Sequence, residues 1–121
     1  MQWKLEAAKA IDKPILSRFR AALDKAYGDQ VERVFLFGSR ARGDARSDSD
    51  YDIAVFLKEL TSFDREAERI AKIEIDILND TGAVINAMPF GAGAYDRQTG
   101  LMRELRREGL DLWRPKRRTT L

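Results

Sequence analysis

Between Phe37 and Leu57 the chain reads "FGSRARGDARSDSDYDIAVFL", and no other stretch constrains the fold as tightly. Two strand-like runs flank a polar connection. "VERVFLF", Val31 to Phe37, is β-branched and aromatic, and its end, Leu36 and Phe37 running into Gly38, suits burial on both faces. "YDIAVFL" is a second strand, in which the two-residue alternation sets Asp50, Asp52, Ala54 and Phe56 on one side and Tyr51, Ile53, Val55 and Leu57 on the other. Two acids therefore share a face at the entrance to a hydrophobic strand, where an unpaired carboxylate is costly. Between the strands, "RARG" has room only for a short helix or turn ended by Gly43, and "DARSDSD" reads as a polar loop.

The flanking segments supply helices for that sheet. "PILSRFRAALDKAY", Pro14 to Tyr27, gathers Ile15, Leu16, Phe19, Ala22, Leu23 and Ala26 on one helical face, with Pro14 suited to a first turn and Gly28 to a stop. "SFDREAERIAKIEIDILNDTG" admits two readings: one long helix with Ala67, Ile70, Ala71, Ile73, Ile77 and Leu78 inward, or a helix followed by a strand over "IEIDIL". The single helix is preferred, because no breaker separates the two halves. "AVINAMPF" is then a third strand, "GAGAYDRQTG" a glycine-rich connection, "LMRELRREG" a last helix with Leu101, Met102 and Leu105 inward, and "LDLW" a short apolar end. Trp3, Trp113 and "FGAGAY" read as core or edge packing rather than as a partner surface. The expected fold class is α/β (α+β): a small sheet with helices packed on it, forming one domain over 1–113, followed by a basic tail over 114–121.

Composition narrows the chemistry. The chain has 121 residues, of which 44% are hydrophobic and 35% charged, enough for one core in a soluble globular domain. It contains no cysteine and no histidine. That excludes disulfides, thiolate zinc sites, cysteine nucleophiles and histidine bases, so a metal must be a hard cation on oxygen ligands. No apolar run approaches a membrane span, and "MQWKLEAAKAID" lacks the apolar centre of a secretion signal, so a cytoplasmic location is expected. The net charge is +2, with the basic residues concentrated in "RELRREGLDLWRPKRRTTL". Nucleic-acid binding through that end has only charge behind it and is not favoured.

Three kinds of site fit acids and glycines in this order. Asp48, Asp50 and Asp52 stand at the first, third and fifth positions of a calcium-loop pattern, with Glu59 at the twelfth. The sixth position needs glycine and holds Ile53, inside a strand, so the loop cannot curl. A Walker or dinucleotide loop fails on spacing, although a strand running into Gly38-Ser39 frees backbone N–H groups and a hydroxyl for phosphate oxygens. The remaining reading joins both halves. Asp50 and Asp52 are alternate strand residues about 6.5–7 Å apart at Cα, and two carboxylates at about 6 Å repel by roughly 3 kcal/mol at an effective dielectric of 20. Divalent cations would reverse that repulsion and serve phosphoryl transfer.

Gly38-Ser39, ten intervening residues, then Asp50-Tyr51-Asp52 and "IAVFL" resemble the motif of the minimal nucleotidyltransferases, in the DNA polymerase β-like nucleotidyltransferase superfamily. The resemblance implies that Gly38 and Ser39 bind the nucleotide triphosphate, and that Asp50 and Asp52 are catalytic and hold Mg²⁺. The implied reaction is transfer of a nucleoside monophosphate, AMP from ATP first among them, to a hydroxyl acceptor. Arg40 and Arg42 either add positive charge near the phosphates or are merely solvated. The family usually adds a third carboxylate from a later strand. Asp76 fills that place if "IEIDIL" is a strand; on the helical reading the third strand contains no acid, and Asp76 is a helix-surface acid. Relatives of this size pair with a small helical HEPN-type protein, frequently as antitoxin to its toxin. The alternative is a binding module that keeps the fold and neutralises a partner by contact.

Overall fold

The computed structural model describes residues 14–113. Helix α1 (Pro14–Tyr27) buries Leu16, Phe19, Leu23 and Tyr27. The stripe is rotated slightly from the expected one: Ala26 is exposed and Tyr27 is inside. Tyr27 is held there by donating from Oη to Glu66 Oε1 at 2.8 Å, beneath the Arg69 guanidinium 4.2 Å from the ring centre.

After a 3-10 turn, strand β1 (Val31–Phe37) leads into a one-turn helix, α2 (Ser39–Arg42), and strand β2 (Tyr51–Leu57) follows the polar loop. Helix α3 (Phe63–Thr81) runs unbroken through "IEIDIL". Ser62 caps its start by accepting from Arg65 N–H, and the left-handed Gly82 ends it. The single-helix reading is therefore correct, and the strand alternative is excluded. Ile70 and Ile77 are buried, but Leu78, expected inward, is 44% exposed because it lies past the edge of the core stripe. Strand β3 (Ile85–Gly91), a 3-10 turn (Ala92–Asp96), helix α4 (Gly100–Glu108) and the two-residue strand β4 (Leu110–Asp111) complete the described chain.

The sheet order is β3-β2-β1-β4. β1 is antiparallel to both β2 and β4, and β2 is parallel to β3. The expected small mixed sheet with helices on it is what forms. Alternation along the strands feeds two cores. Val34, Leu36, Ile53, Val55 and Leu57 pack with α1 and α3 on one face, where Ile85, Leu112 and Trp113 join them. On the other face Phe35, Ala54 and Phe56 meet Met102 and Leu105 of α4, with Phe90 and Tyr95 packed alongside. Trp113 and the "FGAGAY" aromatics are thus core packing, as expected; Trp3 and the 114–121 tail lie outside the described residues.

β3 is an edge strand, which explains how Pro89 is accommodated in it. Glu74 of α3 reaches over this edge and accepts the Ala87 N–H at 2.7 Å. Burial pushes the Glu74 carboxyl up from its ordinary value, against the smaller pull of that hydrogen bond. Among the described residues no helix is long and apolar enough to cross a membrane.

Candidate active site

One corner of the sheet collects the motif residues. Because β1 and β2 are antiparallel, the end of β1 lies beside the start of β2, with Phe37 opposite Asp52. Because β2 and β3 are parallel, the start of β3 lies there too, with Asp52 opposite Asn86. Gly38, Asp50, Asp52 and Asn86 are therefore neighbours, although they come from three separate parts of the chain.

Gly38 has φ 76° and ψ −156°, a conformation open in practice only to glycine. This turns the chain sharply from β1 into α2. The Gly38 carbonyl accepts the N–H groups of Ala41 and Arg42, each at 3.1 Å, and the Ser39 carbonyl accepts those of Gly43 and Asp44. No side chain caps the N-terminal end of this turn. The first N–H groups of a helical turn have no intrahelical acceptor, so those of Ser39 and Arg40 are available beside the carboxylates.

Asp50 is exposed just before β2, and Asp52 is half-buried within it, on the side shared with Ala54 and Phe56. Their carboxylates converge. Asn86 Nδ2 donates to Asp50 Oδ2 at 2.8 Å and lies 3.5 Å from Asp52 Oδ1. A single amide with partial positive charge thus reaches both anions, and a hard cation needs the same convergence of oxygens. Two carboxylates and an amide oxygen are hard donors of the kind a divalent ion takes, and among the described residues no group of three or more Asp, Glu, His or Cys is placed to hold a metal ion.

Asp76 is exposed on α3 and is not part of this corner. The third strand brings no acid, only Asn86. Asp44 pairs with Arg42 at 3.4 Å and Asp48 is exposed, as expected for loop acids.

Arg40 has contacts of its own within this corner. Its Nε and Nη2 donate to the Ser49 carbonyl at 3.0 and 2.8 Å, and Nη2 also reaches the carbonyls of Ser47 and Arg46 at 3.3 and 3.4 Å. The guanidinium stacks on Tyr51, 3.9 Å from its ring centre. Half-buried, Arg40 is engaged with the backbone of the loop that delivers Asp50. Arg42 makes only partly exposed ion pairs, with Asp44 and with Glu104 at 4.0 Å.

Two residues of this corner escape a sequence reading. Asn86 is legible only once β2 and β3 are known to be parallel neighbours in this register. Arg40 looks like any surface arginine until the loop folds over it.

Comparison with known proteins places this geometry. The family model for "Polymerase beta, Nucleotidyltransferase" matches residues 22–91, more than half of the chain, spanning β1 through β3. A candidate protein adenylyltransferase of Methanocaldococcus jannaschii is 37% identical over 59 residues, which take in 49% of this chain and 59% of that protein's own length. Among solved structures, a toxin–antitoxin complex with AMP-PNP contains a chain that superposes with a TM-score of 0.61 at 18% identity, over 81% of this chain and 72% of that one. A candidate nucleotidyltransferase from Sulfolobus solfataricus gives 0.59 at 17% identity, over 93% and 87%. At those identities the superpositions speak for the fold, and the family assignment rests on the match over 22–91. The corner formed by Gly38, Asp50 and Asp52 lies inside that span, and the chain belongs to the polymerase beta nucleotidyltransferase family.

Proposed function

We propose that this chain is a Mg²⁺-dependent nucleotidyltransferase that transfers AMP from ATP to a hydroxyl of a HEPN-type partner protein, as the antitoxin of a toxin–antitoxin pair. The observation that carries the reading is the convergence of the Asp50 and Asp52 carboxylates beside the Gly38-Ser39 turn. The candidate adenylyltransferase relative supports AMP transfer to protein, and the toxin–antitoxin complex with AMP-PNP supports the nucleotide and the kind of partner.

The roles follow from position. The turn at Gly38 and Ser39 offers N–H groups and a hydroxyl to the triphosphate oxygens. Asp50 and Asp52 would hold the cation on their shared strand face beside that turn. Bound Mg²⁺ supplies charge neutralisation on the phosphates and a lowered pKa for the attacking hydroxyl. The acceptor hydroxyl gives its proton to solvent and its oxygen forms a new bond to the α-phosphorus as the bond to pyrophosphate breaks. With no histidine in the chain, positioning and electrostatics carry most of the rate.

The test is incubation with Mg²⁺, α-labelled ATP and the protein encoded by the neighbouring gene. Label should appear on the partner, and should vanish in Asp50→Asn and Asp52→Asn. A second reading, a module that neutralises its partner by contact alone, draws support from the neutral Asn86 beside the two carboxylates. It is favoured if the parent transfers no label and both variants still neutralise the partner.

A further inference from the structure

The acids of β2 have a polar neighbour on β3 that carries no charge. Asn86 faces Asp52 across the parallel ladder, and its amide nitrogen lies 2.8 Å from Asp50 and 3.5 Å from Asp52. Asn86 is exposed, so it is not there to fill a core. The residues two steps either side bear this out: Met88 of β3, opposite Ala54, is apolar and exposed, and Val84, just before β3, whose carbonyl accepts Tyr51 N–H at 2.9 Å, offers no side-chain polar group. Only at Asn86 does β3 present a hydrogen-bonding side chain to the acidic corner.

An amide suits this place for a physical reason. Asp50 and Asp52 repel each other, and an N–H donor between them offsets that repulsion without adding charge. An acid there would make a third anion and would require a cation before the three could sit together. An amide also has an oxygen on its other arm, a hard donor able to serve a cation once the N–H bond is given up.

The geometry points to Asn86 as a positioning residue that holds Asp50 and Asp52 together in the cation-free chain and keeps the site at two negative charges. This rests on reading Asp50 and Asp52 as the cation-holding pair. Its consequence is that Asn86 competes with an entering cation for the same carboxylate oxygens. The site therefore binds divalent ions more weakly than its fold permits, and it stays assembled without one.

The full-length chain tests this directly. Mn²⁺ titrated calorimetrically into parent and Asn86→Asp should bind about tenfold more tightly to the variant, which gains an anion and loses a competing donor. In EDTA the variant should melt below the parent, and saturating Mn²⁺ should raise its melting temperature more than the parent's. The parent's Asn86 side-chain amide resonance should shift on addition of Mg²⁺ and saturate. This last measurement needs no variant to fold. If the parent binds Mn²⁺ while the variant's affinity is unchanged and the Asn86 resonance does not move with Mg²⁺, the inference is overturned and the cation-pair reading stands. Absence of Mn²⁺ binding in both proteins overturns the two together.

Discussion

Asp52 Oδ2 lies 2.5 Å from the point where a Cβ on Gly38 would stand. No real Cβ tolerates that approach, so the carboxylate packs against the bare Cα of the turn. Two residues fourteen positions apart thus fix each other. Gly38→Ala must displace Asp52 and also occupy a backbone conformation that costs a residue with a side chain about 1–3 kcal/mol. Stability should fall by about that amount in urea unfolding, and label transfer by about 10²-fold, as expected when a reacting group moves by an ångström.

Asp50→Asn and Asp52→Asn separate chemistry from stability. Each removes a charge from a repelling pair, so in EDTA each variant should melt no lower than the parent. Transfer should nevertheless drop by on the order of 10²–10³-fold, the scale of losing one transition-state charge contact. A melting point well below the parent's would assign these acids a structural role instead.

Arg40→Lys keeps the charge and loses the planar fork that engages the Ser49 carbonyl through two nitrogens. The loop from Asp44 to Ser49 should open more readily, with backbone amide exchange there faster by about tenfold, equivalent to about 1.4 kcal/mol of local stability. The Ser49 contact lies outside the cores and only the stacked Tyr51 belongs to one, so the global melting temperature should fall less than local loop stability. Uniform acceleration across the whole chain would mean that Arg40 supports the fold rather than the loop.

Glu74→Gln isolates one half-buried charge. The folded-state pKa of Glu74 is raised, so the protonated form is the one the fold favours. Its contribution to stability is present below the unfolded-state carboxylate pKa and is lost as pH rises through the folded value. Glutamine keeps an acceptor for Ala87 N–H and carries no charge at any pH. The stability of Glu74→Gln relative to the parent should therefore improve between about pH 4 and pH 7, by under about 1 kcal/mol because the group is only half-buried. Urea unfolding of both proteins at those two pH values gives the comparison, and an advantage that shrinks as pH rises would contradict it.

Strands β1 to β3, the long helix and the pairing of Asp50 with Asp52 on one face could be read from the chain because they depend on local periodicity, whereas the two-residue β4 could not. "YDIAVFL" alternates, and "REAERIAKIEIDIL" carries no breaker, so neighbouring residues decide the outcome. Asn86 and Arg40 could not be read that way. One depends on which strand pairs with β2 and in what register, the other on a loop folding back over its own preceding helix. Leu78 and Ala26 were misplaced for a related reason. A helical stripe predicts an inward side, but where the neighbouring elements end decides which residues at its margin are covered.

The edge strand β3 limits how another chain could pair with this sheet. The Ala87 N–H points away from β2, and strand alternation gives Ile85, Pro89 and Gly91 the same outward direction. Of these four, Ala87 is already held by Glu74 and Pro89 has no N–H at all. An extended peptide laid along β3 would find consecutive rungs of its ladder missing at the middle of the strand, so recognition by β-augmentation is disfavoured. On the proposed reading, an acceptor hydroxyl would instead approach Asp50 and Asp52 across the face where Asn86 and Met88 are exposed.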